Sequence, residues 1–259
     1  MAGVVTGSNG GRTPGRTHRG PVRRPYVPTF HLRLVGGFAA TQDGRDIKLP
    51  AASRRLVAAT ALHVGPIPRY VAAERLWPHL EPRSALSSLR TALFRLNASS
   101  ALLDTGPGYI ALAAHVAVDV HALEAFARRL IDGPVPDTDA EASVRLLTMA
   151  ILPDCDDDWL RLERDRLRDL FLHAIEAHAA RLSAAGHYAR ALEAAHAALA
   201  ADPVRETAAA TLIAIHLAEG NRPQAVRTYR DFRLRLRAII GVEPAEELTA
   251  LVGPYLSDA

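Results

Sequence analysis

The stretch Pro82 to Asn97, PRSALSSLRTALFRLN, carries the groups best suited to chemistry with a polyanion. At 100° per residue Leu86, Leu89, Leu93 and Leu96 share one side, the spacing of a helix packed on a core. The other side holds Ser84, Ser87, Ser88, Thr91 and Arg95, flanked by Arg83 and Arg90, and no carboxylate. A solvated helix normally mixes both signs of charge. Short hydroxyls let a helix approach a surface closely, and guanidinium forks bond phosphates or guanine edges in pairs, so the composition suits the DNA major groove. An Arg-rich surface helix in an Arg-rich chain has the same composition, so the neighbouring elements must decide.

Other groups that invite a chemical reading lack the right spacing. Leu152-Pro153-Asp154-Cys155-Asp156-Asp157-Asp158-Trp159 packs four aspartates into five positions. A calcium loop also needs a central glycine and a bidentate Glu at position twelve, and Asp165 stands there instead. N-capping and dipole compensation for a following helix are the better reading. His173 and His178 are five apart and His187 and His196 nine apart, neither being the i, i+4 spacing of a helical zinc pair. No HExxH or GxSxG occurs. Glu163, Asp165 and Asp169 stand among Arg161, Arg164, Arg166 and Arg168, the pattern of surface ion pairs. Gly106 and Gly108 lack the GxxxxGK[ST] spacing of a phosphate loop and read as a turn. No active site, metal or cofactor is expected.

The helix needs a scaffold, and its surroundings supply one. Phe30 to Pro50 alternates, with Leu32 and Leu34 on one side and a turn at Asp43-Gly44, giving a small antiparallel sheet. Ala51 to Val64 reads as a helix with Leu56, Ala59 and Leu62 or His63 inward, and a break at Gly65-Pro66-Ile67-Pro68 leads to a short helix from Arg69 to Trp77. After the Arg/Ser helix, Leu102 to Asp119 alternates around Gly106-Pro107-Gly108 as two short strands. Three helices closed by a hairpin form a winged helix-turn-helix, whose third helix enters the groove while wing and helix ends touch the backbone. Arg54, Arg55 and Arg69 are then candidate phosphate contacts, with solvated helix positions as the alternative.

Beyond Asp119 the sequence is helical: Val120 to Ile131, a linker at Gly133 to Pro136, Ala140 to Met149, and a long helix from Trp159 to Ala185. Gly186-His187-Tyr188-Ala189-Arg190-Ala191-Leu192 and Gly220-Asn221-Arg222-Pro223-Gln224-Ala225-Val226 share the form G-x-x-x-x-A-[LV] at a period of 34, the tetratricopeptide repeat. The fold class expected is an α+β winged helix-turn-helix domain over 29–119 followed by an all-α tetratricopeptide-like domain over 120–259. Residues 1–28, rich in Gly, Pro, Thr and Arg, cannot bury enough apolar surface to fold and are expected to be a disordered basic tail. Its Arg12, Arg16, Arg19, Arg23 and Arg24 either reach a DNA backbone or merely solubilise the chain.

The totals agree with two domains. The chain has 259 residues, 49% hydrophobic, enough for a substantial core. No apolar leader or membrane span is evident, and a cytoplasmic location is expected. The single cysteine, Cys155, has no disulfide partner within the chain and reads as packing. Residues 1–133 hold 17 Arg and Lys against 8 acids, and residues 134–259 hold 14 against 20. A basic half joined to an acidic half suggests that one part meets a polyanion and the other something else.

Three stretches resemble the SARP family of actinobacterial transcriptional activators. Arg83 to Leu96 looks like that family's recognition helix, S-x-L-R-x-A-L-x-R-L; Ile151-Leu152-Pro153-Asp154 through Asp158-Trp159 and Glu163-Arg164 is similar to its LLPD…DDW…ER stretch. Leu217 to Asn221 with Ala225, Tyr229 and Leu236, then Gly241-Val242-Glu243-Pro244, resembles the repeat and closing turn of the bacterial transcriptional activator domain. The resemblance covers about residues 30 to 255. It implies an activator that binds promoter direct repeats on double-stranded DNA, often as two protomers, and recruits RNA polymerase through sigma and the alpha C-terminal domain, commonly at secondary-metabolite genes. Cys155 and Asp156 depart from the aromatic residues frequent there, and no nucleotide-binding domain follows, so a short two-domain member is expected. The competing reading is a protein-interaction scaffold in which the repeats carry the function and the winged helix reads no DNA.

Overall fold

The computed structural model describes residues 1, 3, 28–98, 100–133 and 144–256. The tail expected over 1–28, with Arg12, Arg16, Arg19, Arg23 and Arg24, lies outside the described residues apart from positions 1, 3 and 28. So do Pro134 to Pro136 of the linker and the start of the helix expected from Ala140, of which 144–147 is helical.

Strand β1 (Phe30–Arg33) alternates, burying Phe30 and Leu32 and turning His31 and Arg33 outward. It pairs antiparallel with β2 (Ala39–Gln42), which turns through Asp43-Gly44 into β3 (Arg45–Asp46). Both turn residues have positive φ, 51° and 78°, the backbone of a two-residue hairpin turn that Asp-Gly accommodates.

Three helices follow, α1 (Ala51–Ala61), α2 (Arg69–Leu76) and α3 (Pro82–Asn97). The break expected before α2 contains a strand, β4 (Ile67–Pro68), and the wing is longer than two strands. β5 (Leu103–Asp104) and β6 (Tyr109–Leu112) form the hairpin, β4 adds to β6, and β7 (Val116–Val118) leaves it to pair parallel with β1. A two-residue strand at Ile67-Pro68 is too short to show alternation, and a parallel partner 86 positions from Phe30 leaves no local signature.

The parallel pair ends at Asp119, which opens α4 (Asp119–Asp132). Its carboxylate accepts from the backbone N–H of Leu34, Val35 and Val120 at 2.7–3.0 Å, so one side chain closes the end of β1 and satisfies an orphan donor of the new helix.

The helical domain continues with α5 (Asp158–Ala184), α6 (Tyr188–Ala201), α7 (Glu206–Ala218), α8 (Arg222–Ile239) and α9 (Glu246–Leu256). The 34-residue period is visible in single hydrogen bonds. Gly186 N–H donates to Ser183 and His187 N–H to Leu182; Gly220 N–H donates to Leu217 and Asn221 N–H to His216. Both glycines are left-handed, φ 78° and 86°, which makes these paired helix ends Schellman turns. Ala191 and Ala225, fully buried, let the helices of each hairpin approach closely.

One continuous apolar core runs from Phe30 through the winged helix to Ala198, Leu212 and Ile215, and a second joins Ala209, Ile213, Tyr229, Phe232, Leu236, Leu248 and Val252. Among the described residues no helix is long and apolar enough to cross a membrane.

His216 is the imperfection in this packing. Both ring nitrogens are buried without a hydrogen-bond partner, and burial pushes the imidazole below its ordinary pKa, Glu219 opposing the shift and His196 adding to it. The unfolded chain therefore takes up the proton first, so stability is full above pH about 6.5 and declines as pH falls through that value. His216→Leu should stabilise the chain by about 1 kcal/mol at pH 7 and flatten that decline, measured as melting temperature against pH.

Candidate nucleic-acid interface

Helix α3 starts cleanly because Pro82 occupies its first turn, where a missing N–H costs nothing. It buries Ala85, Leu89, Ala92, Leu93 and Leu96. Leu86, expected in the core, is half-buried because the small Ala85 and Ala92 take the closest approach. Ser53 of α1, fully buried, donates to the Ala92 carbonyl at 3.3 Å and ties the two helices where no side chain intervenes.

The outer face has two rows. Arg83, Ser87, Arg90 and Phe94 form one, and Ser84, Thr91 and Arg95 the other, all exposed. Ser88 lies between this face and the core and is half-buried, so the reading that placed it fully outward is corrected. Thr91 Oγ1 donates to the Ser87 carbonyl at 3.0 Å, leaving its lone pairs outward. Among the described residues Arg83 and Arg90 meet no carboxylate.

Phe94 is the residue that sequence reasoning missed. Its side chain is 77% exposed in line with Arg83, Ser87 and Arg90. The signal was its position, i+4 from Arg90 and i+11 from Arg83, on the polar row rather than the leucine row.

The wing stands beside α2. The Tyr109 ring lies over Gly106, where a Cβ would come within 2.1 Å of it, so a larger residue there must displace the ring. The Gly108 carbonyl accepts from Arg69 N–H at 2.9 Å, locking the wing to the start of α2. Arg69 is half-buried at that junction with Nε enclosed and without a partner. Arg54 is exposed on α1.

Arg55 points the other way. Its Nε and Nη2 grip both oxygens of Asp157 at 2.7 and 2.6 Å, and Nη2 also reaches the Leu76 carbonyl at 2.7 Å. Its expected role as a phosphate contact is therefore replaced by one at the junction of the domains. This also corrects the capping role expected for the aspartates: Asp157 precedes α5 but makes no side-chain cap, its oxygens being committed to Arg55. Asp158 does stand in the first turn of α5, paired with Arg161.

Nearby, Arg75 of α2 approaches Glu163 at 3.7 Å and covers the Trp159 ring at 5.6 Å. Arg164 donates to the carbonyls of Ile151 and Cys155, each at 2.8 Å, and to that of Leu152. Leu152 is left-handed, φ 48°, and the segment pairs with the end of β1 through Gly36 N–H to Ala150 and Leu152 N–H to Leu34, both 2.8 Å. Among the described residues no group of three or more His, Cys, Asp and Glu is placed to hold a metal.

Comparison with known proteins bears on both halves. The family model described as bacterial transcriptional activator domain matches residues 118–253, more than half of the chain. The chain belongs to this family. A solved structure of Mycobacterium tuberculosis EmbR in complex with a low affinity phosphopeptide matches with a TM-score of 0.63 at 19% identity, covering 90% of this chain and 66% of that one. The chain thus spans just under two thirds of EmbR as solved, and shares its order of a winged-helix-like region followed by helices. No curated protein matches the sequence. The chain thus carries the bacterial transcriptional activator domain over its second half, on a fold shared with EmbR.

The junction yields a pH test. Burial alone would raise the Asp157 carboxyl, but hydrogen bonds from Arg55 and the Cys155 thiol outweigh it and hold the group below the usual carboxylate range. Its contribution is present above pH about 4 and lost as pH falls through the depressed value. Asp157→Asn should cost about 1 kcal/mol at pH 7, a fall in melting temperature of roughly 2–4 °C, and the gap to wild type should close in acid.

Proposed function

We propose that this activator is a sequence-specific DNA-binding protein whose helix α3 enters the major groove. The observation that carries the reading is the outer face of α3: three arginines, two small exposed serines and Thr91 over thirteen positions, with no carboxylate. Arg55 and Arg75 of the same domain, by contrast, are paired with Asp157 and Glu163.

Arg83, Arg90 and Arg95 are assigned to phosphates or guanine edges, and Ser84, Ser87 and Thr91 to close approach and hydroxyl contacts. Ser88 supports that face from its edge. Phe94 adds an apolar surface suited to a thymine methyl group. Arg54 and Arg69, on α1 and beside the wing, are assigned to flanking phosphates. The domain limits proposed are 29–119 for the DNA-binding part and 120–259 for the helical part, with the basic tail before them.

The SARP resemblance supports the remaining steps. Two protomers occupy direct repeats near a promoter, and RNA polymerase is recruited through sigma and the alpha C-terminal domain, at genes of secondary metabolism. The repeat domain does this by binding, with no catalytic step.

Fluorescence anisotropy with fragments from upstream of the protein's own gene neighbourhood tests the reading. Selective binding should survive unrelated competitor DNA and fall with salt at a log-log slope near −0.9 per phosphate neutralised. Arg90→Ala and Arg95→Ala should each weaken specific binding by about 1–3 kcal/mol, whereas Arg54→Ala should flatten the salt slope by about 1 with little change in sequence preference. Weak binding that is equal on every fragment and insensitive to these substitutions would favour the scaffold reading.

A further inference from the structure

Helix α8 carries a second concentration of arginine, far from the first along the fold. It holds six arginines against one acid, Asp231, in a half of the chain that is acidic overall. Its inner side buries Ala225, Val226, Tyr229, Phe232 and Leu236 against α7 and α9. The outer side presents Arg227, and then Arg230, Arg233, Leu234 and Arg237 at the i, i+3, i+4, i+7 spacing of one helical face, all exposed.

Internal neutralisation is incomplete. Arg233 and Arg237 share the single carboxylate of Glu243, at 2.5 and 3.3 Å, while Arg227 and Arg230 meet no carboxylate among the described residues. Large aliphatic side chains accompany the cations: Leu234, on the same face, is 69% exposed, and Ile240, just past the last turn, is 54% exposed, while the exposed Ile239 falls on the other side of the helix. Exposed aliphatic surface of this kind, rimmed by charge, marks protein contact.

We propose that the outer face of α8 is a docking surface for an acidic amphipathic helix of another protein. Charge complementarity fixes the sign, since guanidinium forks bind carboxylates in pairs. The aliphatic residues select a protein over DNA, because a phosphate backbone offers nothing to bury Leu234 or Ile240. A bilayer takes a segregated apolar face, whereas Leu234 lies between Arg230 and Arg237 on one row. The partner helix therefore carries carboxylates on either side of a central aliphatic residue. In chain order α5, α6 and α7 stand between the winged helix and α8, which packs on α7 and α9, so the proposal does not rest on the DNA reading.

The test uses the full chain and a fluorescein-labelled synthetic helix of about 18 residues, with Glu flanking Leu on one face, against an isomer with the same composition but no such face. The patterned peptide should bind in the micromolar range and at least about tenfold tighter than the isomer. The double variant Arg227→Glu with Arg230→Glu should abolish the preference, and Leu234→Ser, an exposed position that folding tolerates, should reduce it about threefold. Equal binding of the two peptides, or no response to these substitutions, would overturn the proposal. So would losses confined to duplex DNA or to phosphatidylglycerol vesicles measured alongside.

Discussion

A single guanidinium holds the turn on which the two domains meet. Segment 150–157 must run between the edge of the winged-helix sheet and the start of α5 with its carbonyls turned inward, and backbone oxygens there need donors. Arg164 supplies them to Ile151, Leu152 and Cys155 together. A lysine has the charge but no fork with which to span three acceptors. Once the turn is fixed, Leu152 and Ala150 pair with Leu34 and Gly36, and Asp157 is presented to Arg55. The left-handed backbone at Leu152, unfavourable for a leucine, persists because the bonds around it over-determine it.

From that turn the orientation of α3 follows. α1 is held by Arg55 and α2 by Arg75, both to residues at the start of α5, while Asp119 ties β1 to α4 at the other side of the same junction. The apolar core is continuous across it. The winged helix is thus a body set against the helices that follow it rather than a bead on a tether. The second core, around Tyr229 and Phe232, is the more independent end of the molecule.

Much of this was legible because it is local. The leucine row of α3, the Asp43-Gly44 turn, the glycines at 186 and 220 and the alanines behind them each state their geometry within a few residues. What the sequence hid is what depends on distant partners. Nothing near Arg55 announces Asp157, 102 positions away, and Asp119 reads as a helix start without revealing that it also closes β1. Strand β7 reads as part of the wing because alternation alone does not say which sheet a strand joins. Ser88 reads as fully outward for a smaller reason: a wheel at 100° per residue places the seam between faces only to within one residue, and Ser88 lies near that seam. Phe94 sits well inside the polar row, where an apolar side chain among hydroxyls and arginines does not announce a contact.

A basic first half and an acidic second half suggest two separate partners, yet part of that asymmetry is consumed inside the molecule. Arg55 with Asp157, and Arg75 with Glu163, are cations of one domain neutralised by anions of the other. Net charge per domain therefore overstates what is offered to a partner. The quantity that survives folding is local: whether an exposed arginine has a carboxylate within reach. By that measure Arg83 and Arg90 on α3, like Arg54 on α1, are offered outward, and so are Arg227 and Arg230 on α8. The second pair lies in the half whose total charge is negative, where a count by domain would not look for it.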